Sequence, residues 1–166
     1  MDNIRSDRWY HGWLGKALIL IFIAGEFLLF YNAMDSINFW KYGGDEGLKQ
    51  VVVPGNNDLI LSKSGNYTVF HEYESAVNGR IYSGEQDIPG LMVEFKNKST
   101  GIKIPFQSLS GKVTYNHGGR SGKAVLEFNI RQPGVYTVYG WYQKSNGPQV
   151  VLAVGKEDPN YTTIDP

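Results

Sequence analysis

Residues 64–75 read SGNYTVFHEYES, and residues 133–145 read PGVYTVYGWYQKS. Gly65, Tyr67, Thr68, Val69 and Tyr73 recur as Gly134, Tyr136, Thr137, Val138 and Tyr142, a constant 69 positions later. Leu59 and Leu61 precede Gly65 at the distances at which Phe128 and Ile130 precede Gly134. The shared unit is strand, turn, Gly-x-Tyr, strand. Glycine at the turn reaches a positive φ without a Cβ penalty. The tyrosine two residues on can bury its ring and send its hydroxyl back to the turn backbone. The residues between the two copies do not match, so the repeat is one structural solution used twice.

Working outward, the rest of the chain beyond residue 47 alternates with the period of two that a half-buried strand requires. In KAVLEFNI (residues 123–130), Ala124, Leu126, Phe128 and Ile130 are expected on one face and Val125, Glu127 and Asn129 on the other. In LMVEFKN (residues 91–97), Leu91, Val93 and Phe95 point inward while Glu94 and Lys96 point outward. DLILSK, IKIPF and QVVLAV are shorter pieces of the same kind. Turn signals at Pro54-Gly55, Asn78-Gly79, Pro89-Gly90, Gly118-Gly119 and Pro133-Gly134 separate them. About eight or nine short strands spaced in this way predict an antiparallel sandwich.

The Gly-x-Tyr unit resembles the tyrosine corner of immunoglobulin-like sandwiches, although the cysteines of antibody domains are missing. With VVVPG before the first copy and VVLAVG after the second, residues 50–155 resemble uncharacterised bacterial membrane-anchored β-sandwich proteins. More loosely, they are similar to the pre-peptidase C-terminal type of small extracellular domain, which carries a pGxYxv strand. The resemblance implies a mainly β fold, an immunoglobulin-like or jelly-roll sandwich behind a single N-terminal transmembrane helix. It implies nothing about activity.

Composition removes several function classes. Lysine plus arginine and aspartate plus glutamate stand at 16 each in 166 residues, so no basic footprint marks a nucleic-acid binder. With no cysteine, disulfides, thiolate metal sites and cysteine nucleophiles are excluded.

ALILIFIAGEFLLFYNAM (residues 17–34), with Trp13 and Leu14 before it, makes an apolar stretch of about 20 residues, enough to cross a bilayer as a helix. Trp9, Tyr10 and Trp13 flank one end, and Tyr31, Phe39, Trp40 and Tyr42 the other, which is the aromatic placement of two membrane–water interfaces. Trp9, Trp13 and Trp40 are the expected interface anchors. Arg5, Arg8 and Lys16 precede the stretch, and Lys41 alone follows closely, so the N-terminus is expected in the cytoplasm and the remainder outside. The run is long for a cleaved signal, and Tyr31 and Ala33 make a poor cleavage site. The expected organisation is a cytoplasmic tail (1–16), a signal-anchor helix (17–34), a juxtamembrane linker (35–47), an extracytoplasmic sandwich (48–155) and a C-terminal tail (156–166). In a bacterial envelope the sandwich would be periplasmic or at the cell surface.

Glu26 interrupts the apolar stretch, where a carboxylate costs about 2–3 kcal/mol on insertion scales. It is expected to meet a partner helix, with Gly25, Phe22, Leu29, Phe30 and Ala33 sharing its face. Protonation in lipid and placement at the outer interface are the alternatives.

NHGGRSGKA (residues 116–124) only resembles a phosphate loop. His117 stands where the first glycine belongs and Ala124 where the hydroxyl belongs, so a glycine-rich hairpin is expected. Arg120 and Lys123 could still hold an anion weakly. His11, His71 and His117 are too far apart for a ligand cluster, and His71 is expected to be a structural strand residue opposite an aromatic neighbour. Asp45 and Glu46, and Glu85 and Asp87, are acidic loop pairs without a D-x-D-x-D run. Neither a Ser-His-Asp order nor a G-x-S-x-G elbow occurs, so no catalytic residue, cofactor or metal is expected. Sequons stand at Asn66, Asn97 and Asn160. Along the second copy, Tyr139 and Trp141 alternate with Tyr136, Val138 and Tyr142, making them candidate surface aromatics.

Together these features point to a non-catalytic, membrane-anchored protein that acts as an accessory or structural subunit of a membrane complex. Its expected partners are the lipid bilayer and a membrane protein. A tethered module for a glycan, cell-wall polymer or extracellular protein is the alternative.

Overall fold

The computed structural model describes residues 15–29, 47–109, 113–144 and 147–157. The chain divides into two compact units, Met1–Met34 and Asp35–Pro166. In the first, residues 15–29 form a helix, α1, in a segment without proline that carries alanine, four leucines, lysine and glutamate as helix formers. Its apolar side chains are exposed on every side, with Leu18, Ile19, Leu20, Ile21, Phe22 and Ile23 each more than half open. At about 1.5 Å per residue it is roughly 22 Å long. Among the described residues no helix is long and apolar enough to cross a membrane. The expected span runs on to residue 34, and residues 30–34 lie outside the described residues.

The second unit is mainly β. Its strands are β1 (Lys49–Val53), β2 (Gly55–Leu61), β3 (Gly65–Val77), β4 (Arg80–Ser83), β5 (Leu91–Asn97), β6 (Lys103–Ile104), β7 (Phe106–Ser108), β8 (Thr114–His117), β9 (Arg120–Ile130), β10 (Gly134–Tyr142) and β11 (Val150–Lys156). All ladders are antiparallel. One sheet has the order β1-β11-β3-β9-β7, with β4 beside β3 and β8 beside β9; the other has the order β2-β10-β5-β6. The strands outnumber the eight or nine expected for two reasons. Pro105, which cannot donate to a ladder, splits IKIPF into β6 in one sheet and β7 in the other. The hairpin arms β4 and β8 are only four residues each.

Both sheets contribute to one core, in which Val51, Tyr67, Val69, Phe128 and Leu152 meet Leu59, Leu61, Phe95, Tyr136 and Val138. The expected inward set of β5 is correct: Phe95 is fully buried, and Leu91 and Val93 pack against the core. A second cluster of Leu48, Phe70, Tyr115, Ala124 and Ala153 packs with Leu109 and Val113. The middle of the seven-stranded sheet is thereby covered on both faces. This is why residues 67–72 and 150–155 are buried without alternation. Ala124 corrects the expected pattern of β9. The register steps from Val69↔Leu126 to Phe70↔Ala124, leaving Val125 as a bulge, so Ala124 joins the second cluster rather than the face of Phe128 and Ile130.

The repeated unit occupies the centre of each sheet. β2 to β3 crosses from the four-stranded sheet to the seven-stranded one, and β9 to β10 crosses back. Gly65 lies opposite Ile130 and Tyr67 opposite Phe128; in matching register, Gly134 lies opposite Leu61 and Tyr136 opposite Leu59. The Tyr67 hydroxyl donates to the Lys63 carbonyl at 2.7 Å, and that of Tyr136 to the Gln132 carbonyl at 2.6 Å. Both rings are buried, as expected. The glycines differ: Gly65 has φ of 125° and Gly134 is not in the left-handed region. Pro133 fixes its own φ just before Gly134, and the second turn reaches its tyrosine by another backbone path.

Candidate functional site

β10 is paired on both sides, so its odd-numbered residues share one face of the four-stranded sheet with their neighbours on β2 and β5. Val135 stands opposite Ile60, Thr137 between Asp58 and Lys96, Tyr139 between Asn56 and Glu94, and Trp141 opposite Met92. The apolar members of this face are open to solvent, with Ile60 64% exposed, Tyr139 44% and Met92 39%. Tyr139 and Trp141 stack on each other with centroids 5.0 Å apart and planes within 20°. Tyr139 is exposed and Trp141 half-buried.

Around the pair the face is polar, and two of its lysines are matched to carboxylates. Lys103 meets Glu94 at 2.5 Å, and Lys98 meets Asp58, which also accepts from Thr137 at 3.0 Å. The Lys98 and Thr137 hydrogen bonds hold the Asp58 carboxyl below its usual range. A depression of about 350 Å³ opens here, lined by Asn56, Glu94, Lys96, Lys98, Thr137 and Tyr139.

On α1 the helical period sets Phe22, Gly25, Glu26 and Leu29 on one face, all exposed. A Cβ at Gly25 would meet nothing within 4 Å. Phe30 and Ala33, like Trp9, Trp13 and Trp40, lie outside the described residues.

The NHGGRSGKA stretch is the β8–β9 hairpin, its turn made by Gly118 (φ 59°) and Gly119 (φ 75°). Its cations do not form the anion site considered above, because carboxylates already hold both. Lys123 Nζ lies 2.8 Å from Asp87, and Arg120 binds Glu72 through Nε at 2.8 Å and through Nη2. His71 is a buried strand residue, as expected. Its register neighbours, however, are Leu152 and Lys123, so the aromatic partner expected opposite it is absent. Asn97 is buried, and its Oδ1 accepts from Ser99 N, Ser99 Oγ and Thr100 N to form the turn after β5. Asn66 is exposed and accepts from Asn129. Asn160 lies outside the described residues.

Sequence reasoning missed Glu72, whose side chain is fully buried. Five donors converge on it. Arg120 Nε and Nη2 and the Tyr115 hydroxyl reach Oε1, while Ser75 Oγ and Gln50 Nε2 (2.6 Å) reach Oε2. Gln50 also donates to Ser75 Oγ at 2.7 Å. Burial, then the Glu72 charge, raises the Tyr115 pKa, which keeps that hydroxyl a donor. With its lone pairs occupied, the carboxylate cannot serve as a base; it ties β1, β3, β8 and β9 together. The available signal was an ionisable residue two positions after Phe70 in a strand, and its donors lie on elements distant in sequence.

No protein-family model, curated protein or solved structure matches the chain.

Proposed function

We propose that this chain is a non-catalytic, membrane-anchored contact protein, an accessory or structural subunit whose sandwich meets a membrane-protein partner. The observation that carries this reading is the open face of the four-stranded sheet, where Tyr139, Trp141, Met92, Val135 and Ile60 project among self-paired charges. Two apolar patches, Ile60 with Val135 and Met92 with Tyr139 and Trp141, on either side of the Asp58, Thr137 and Lys98 cluster give the mixed surface chemistry of a protein contact. The apolar circumference of α1 supports a lipid environment, with the N-terminus cytoplasmic and the sandwich extracytoplasmic by the lysine and arginine bias. In this reading Glu26, with Gly25, Phe22 and Leu29, meets a polar group of the partner's helix. The paired tyrosine corners favour an immunoglobulin-like or jelly-roll class of sandwich.

The test is a mild-detergent pull-down of the tagged full-length chain, with co-purifying proteins identified by mass. A stoichiometric membrane protein is expected, lost or weakened in Tyr139→Ser/Met92→Ser and in Glu26→Leu. A clean monomer overturns the reading.

A second reading, a tethered glycan-binding module, is favoured by the Tyr139–Trp141 pair beside Asn56, Glu94 and Lys96. Each ring already spends one face on the other, leaving less aromatic surface for a sugar. A tryptophan fluorescence titration with a polysaccharide panel tests it: saturable quenching is expected of a glycan binder, and a flat response removes the reading.

A further inference from the structure

A cleft of about 310 Å³ opens between the β4–β5 loop and the segment entering β11, with His71 and Tyr73 behind it. Its volume lies at the low end of the range of about 300–1,000 Å³ for small-ligand sites, which suits one side chain or one sugar ring. Tyr73, Tyr82 and Tyr142 supply aromatic surface, and Ile88 and Pro148 supply apolar surface. The wall is set by packing. The Tyr142 hydroxyl donates to the Pro148 carbonyl at 3.1 Å, and Gly147 lies so close that a Cβ there would fall 2.2 Å from the Tyr142 ring.

Two acceptors of the cleft, His71 Nε2 and the Glu85 carboxylate, have no partner among the described residues, and the Tyr73, Tyr82 and Ser83 hydroxyls beside them are likewise unbonded there. His71 is 2% exposed, and its Nδ1 donates to the Gln86 carbonyl at 3.1 Å, which leaves Nε2 a bare acceptor. Nε2 has no partner among the described residues. No enclosed side-chain nitrogen or oxygen among those residues is unsatisfied, so Nε2 is not sealed off, and His71 is part of the cleft lining. Burial lowers the His71 pKa, which keeps the ring neutral and accepting at physiological pH. Glu85, exposed at the rim, has no ion pair or hydrogen bond among the described residues. The other carboxylates are committed, Glu72 to Arg120 and Asp87 to Lys123. No lysine or arginine lines the cleft. Tyr82 already carries a cation on its face, with the Arg80 guanidinium 5.2 Å from the ring centroid and bonded to Gln149 at 2.8 Å. Among the described residues no cation lies over Tyr73 or Tyr142.

We infer that this cleft receives a single basic side chain, a lysine ammonium or arginine guanidinium, from the protein partner. The cation donates to His71 Nε2, is balanced by Glu85 and rests against the Tyr73 and Tyr142 rings. A donor-rich, positively charged group satisfies both open acceptors and the aromatic faces together, and its charge is matched by Glu85 with no cation in the lining to oppose it. The inference rests on the contact-protein reading above and names one of its anchoring points.

The test uses the full-length chain in non-ionic detergent, isotopically labelled at its three histidines. The probes are Nα-acetyl-lysine methylamide and Nα-acetyl-arginine methylamide. The controls are the neutral norleucine and citrulline counterparts, with glucose and N-acetylglucosamine alongside. The expected result is a saturable shift of the His71 Nε2 resonance with a basic probe only, weakened about tenfold in Glu85→Gln, an exposed loop position. An equal response to the neutral probes, a response to sugars alone, an unmoved His71, or a Glu85→Gln variant that binds as before would each overturn the inference. Co-purification of a membrane partner in the pull-down above would then still stand, so loss of the cleft and loss of the contact-protein reading are separable.

Discussion

Tyr67 and Tyr136 each donate one proton to a carbonyl four residues upstream, and both hydroxyls come from rings within the core. Replacing either with phenylalanine keeps the ring and strands a carbonyl, at about 1 kcal/mol per site. Urea unfolding of Tyr67→Phe and Tyr136→Phe should show similar losses; no loss at either would remove the corner as a stabilising device. His71 carries a pH dependence. Burial, only partly opposed by the Gln86 carbonyl, Asp87 and Glu72, holds its pKa below the ordinary 6.5. Above that value both states are neutral and stability is at its full level. As pH falls below it, the unfolded chain takes up a proton that the folded chain refuses, so stability declines until the folded pKa is reached. The urea midpoint should therefore drop between pH 7.5 and 5.5, and drop less in His71→Gln; equal slopes for the two proteins would contradict this. At this scale the tyrosines were legible because glycine, tyrosine and acceptor lie within five residues. Glu72 was not, because its donors Gln50, Tyr115 and Arg120 come from three other strands.

Strands were legible wherever one face is wet and the other dry, as in β5 and β10. They were harder to read where a second layer covers the sheet. β3 and β11 lose their alternation because Phe70 and Ala153 are buried beneath Tyr115 and Leu48 on the face opposite the main core. The bulge at Val125 then reverses Ala124, a step that no local pattern announces. A close approach of two elements is equally silent in sequence. At Gly140 on β10, an added Cβ would lie 2.6 Å from Cβ of Val53 on β1, too near the backbone for a rotamer change to relieve. Gly140→Ala should cost about 1–3 kcal/mol in a urea titration, since β1 must shift against the other sheet. Gly84 has no such neighbour, and Gly84→Ala serves as the control, with little or no loss. Equal stability of the two variants would show that the sheets can part there without cost.

For the whole molecule, the architecture of two antiparallel sheets was legible from strand spacing and turn chemistry, whereas the cleft beside His71 was not. Its walls come from β3, β4, the β4–β5 loop, the end of β10 and the approach to β11, segments distant from one another in sequence. The strand order has a separate consequence. Along β2-β10-β5-β6, and along β1-β11-β3-β9, strands that precede the turn at residues 99–101 alternate with strands that follow it. Severing the chain in that turn would leave each piece with one tyrosine corner and only short ladders of its own, β3–β4 in one and β7–β9 and β8–β9 in the other, so neither piece should hold a fold alone. Mixed, the pieces should interleave like the fingers of two hands and recover the β circular dichroism and tryptophan emission of the intact chain. The shortest route to a conditional version of this protein is therefore to express it as two fragments whose meeting is the switch.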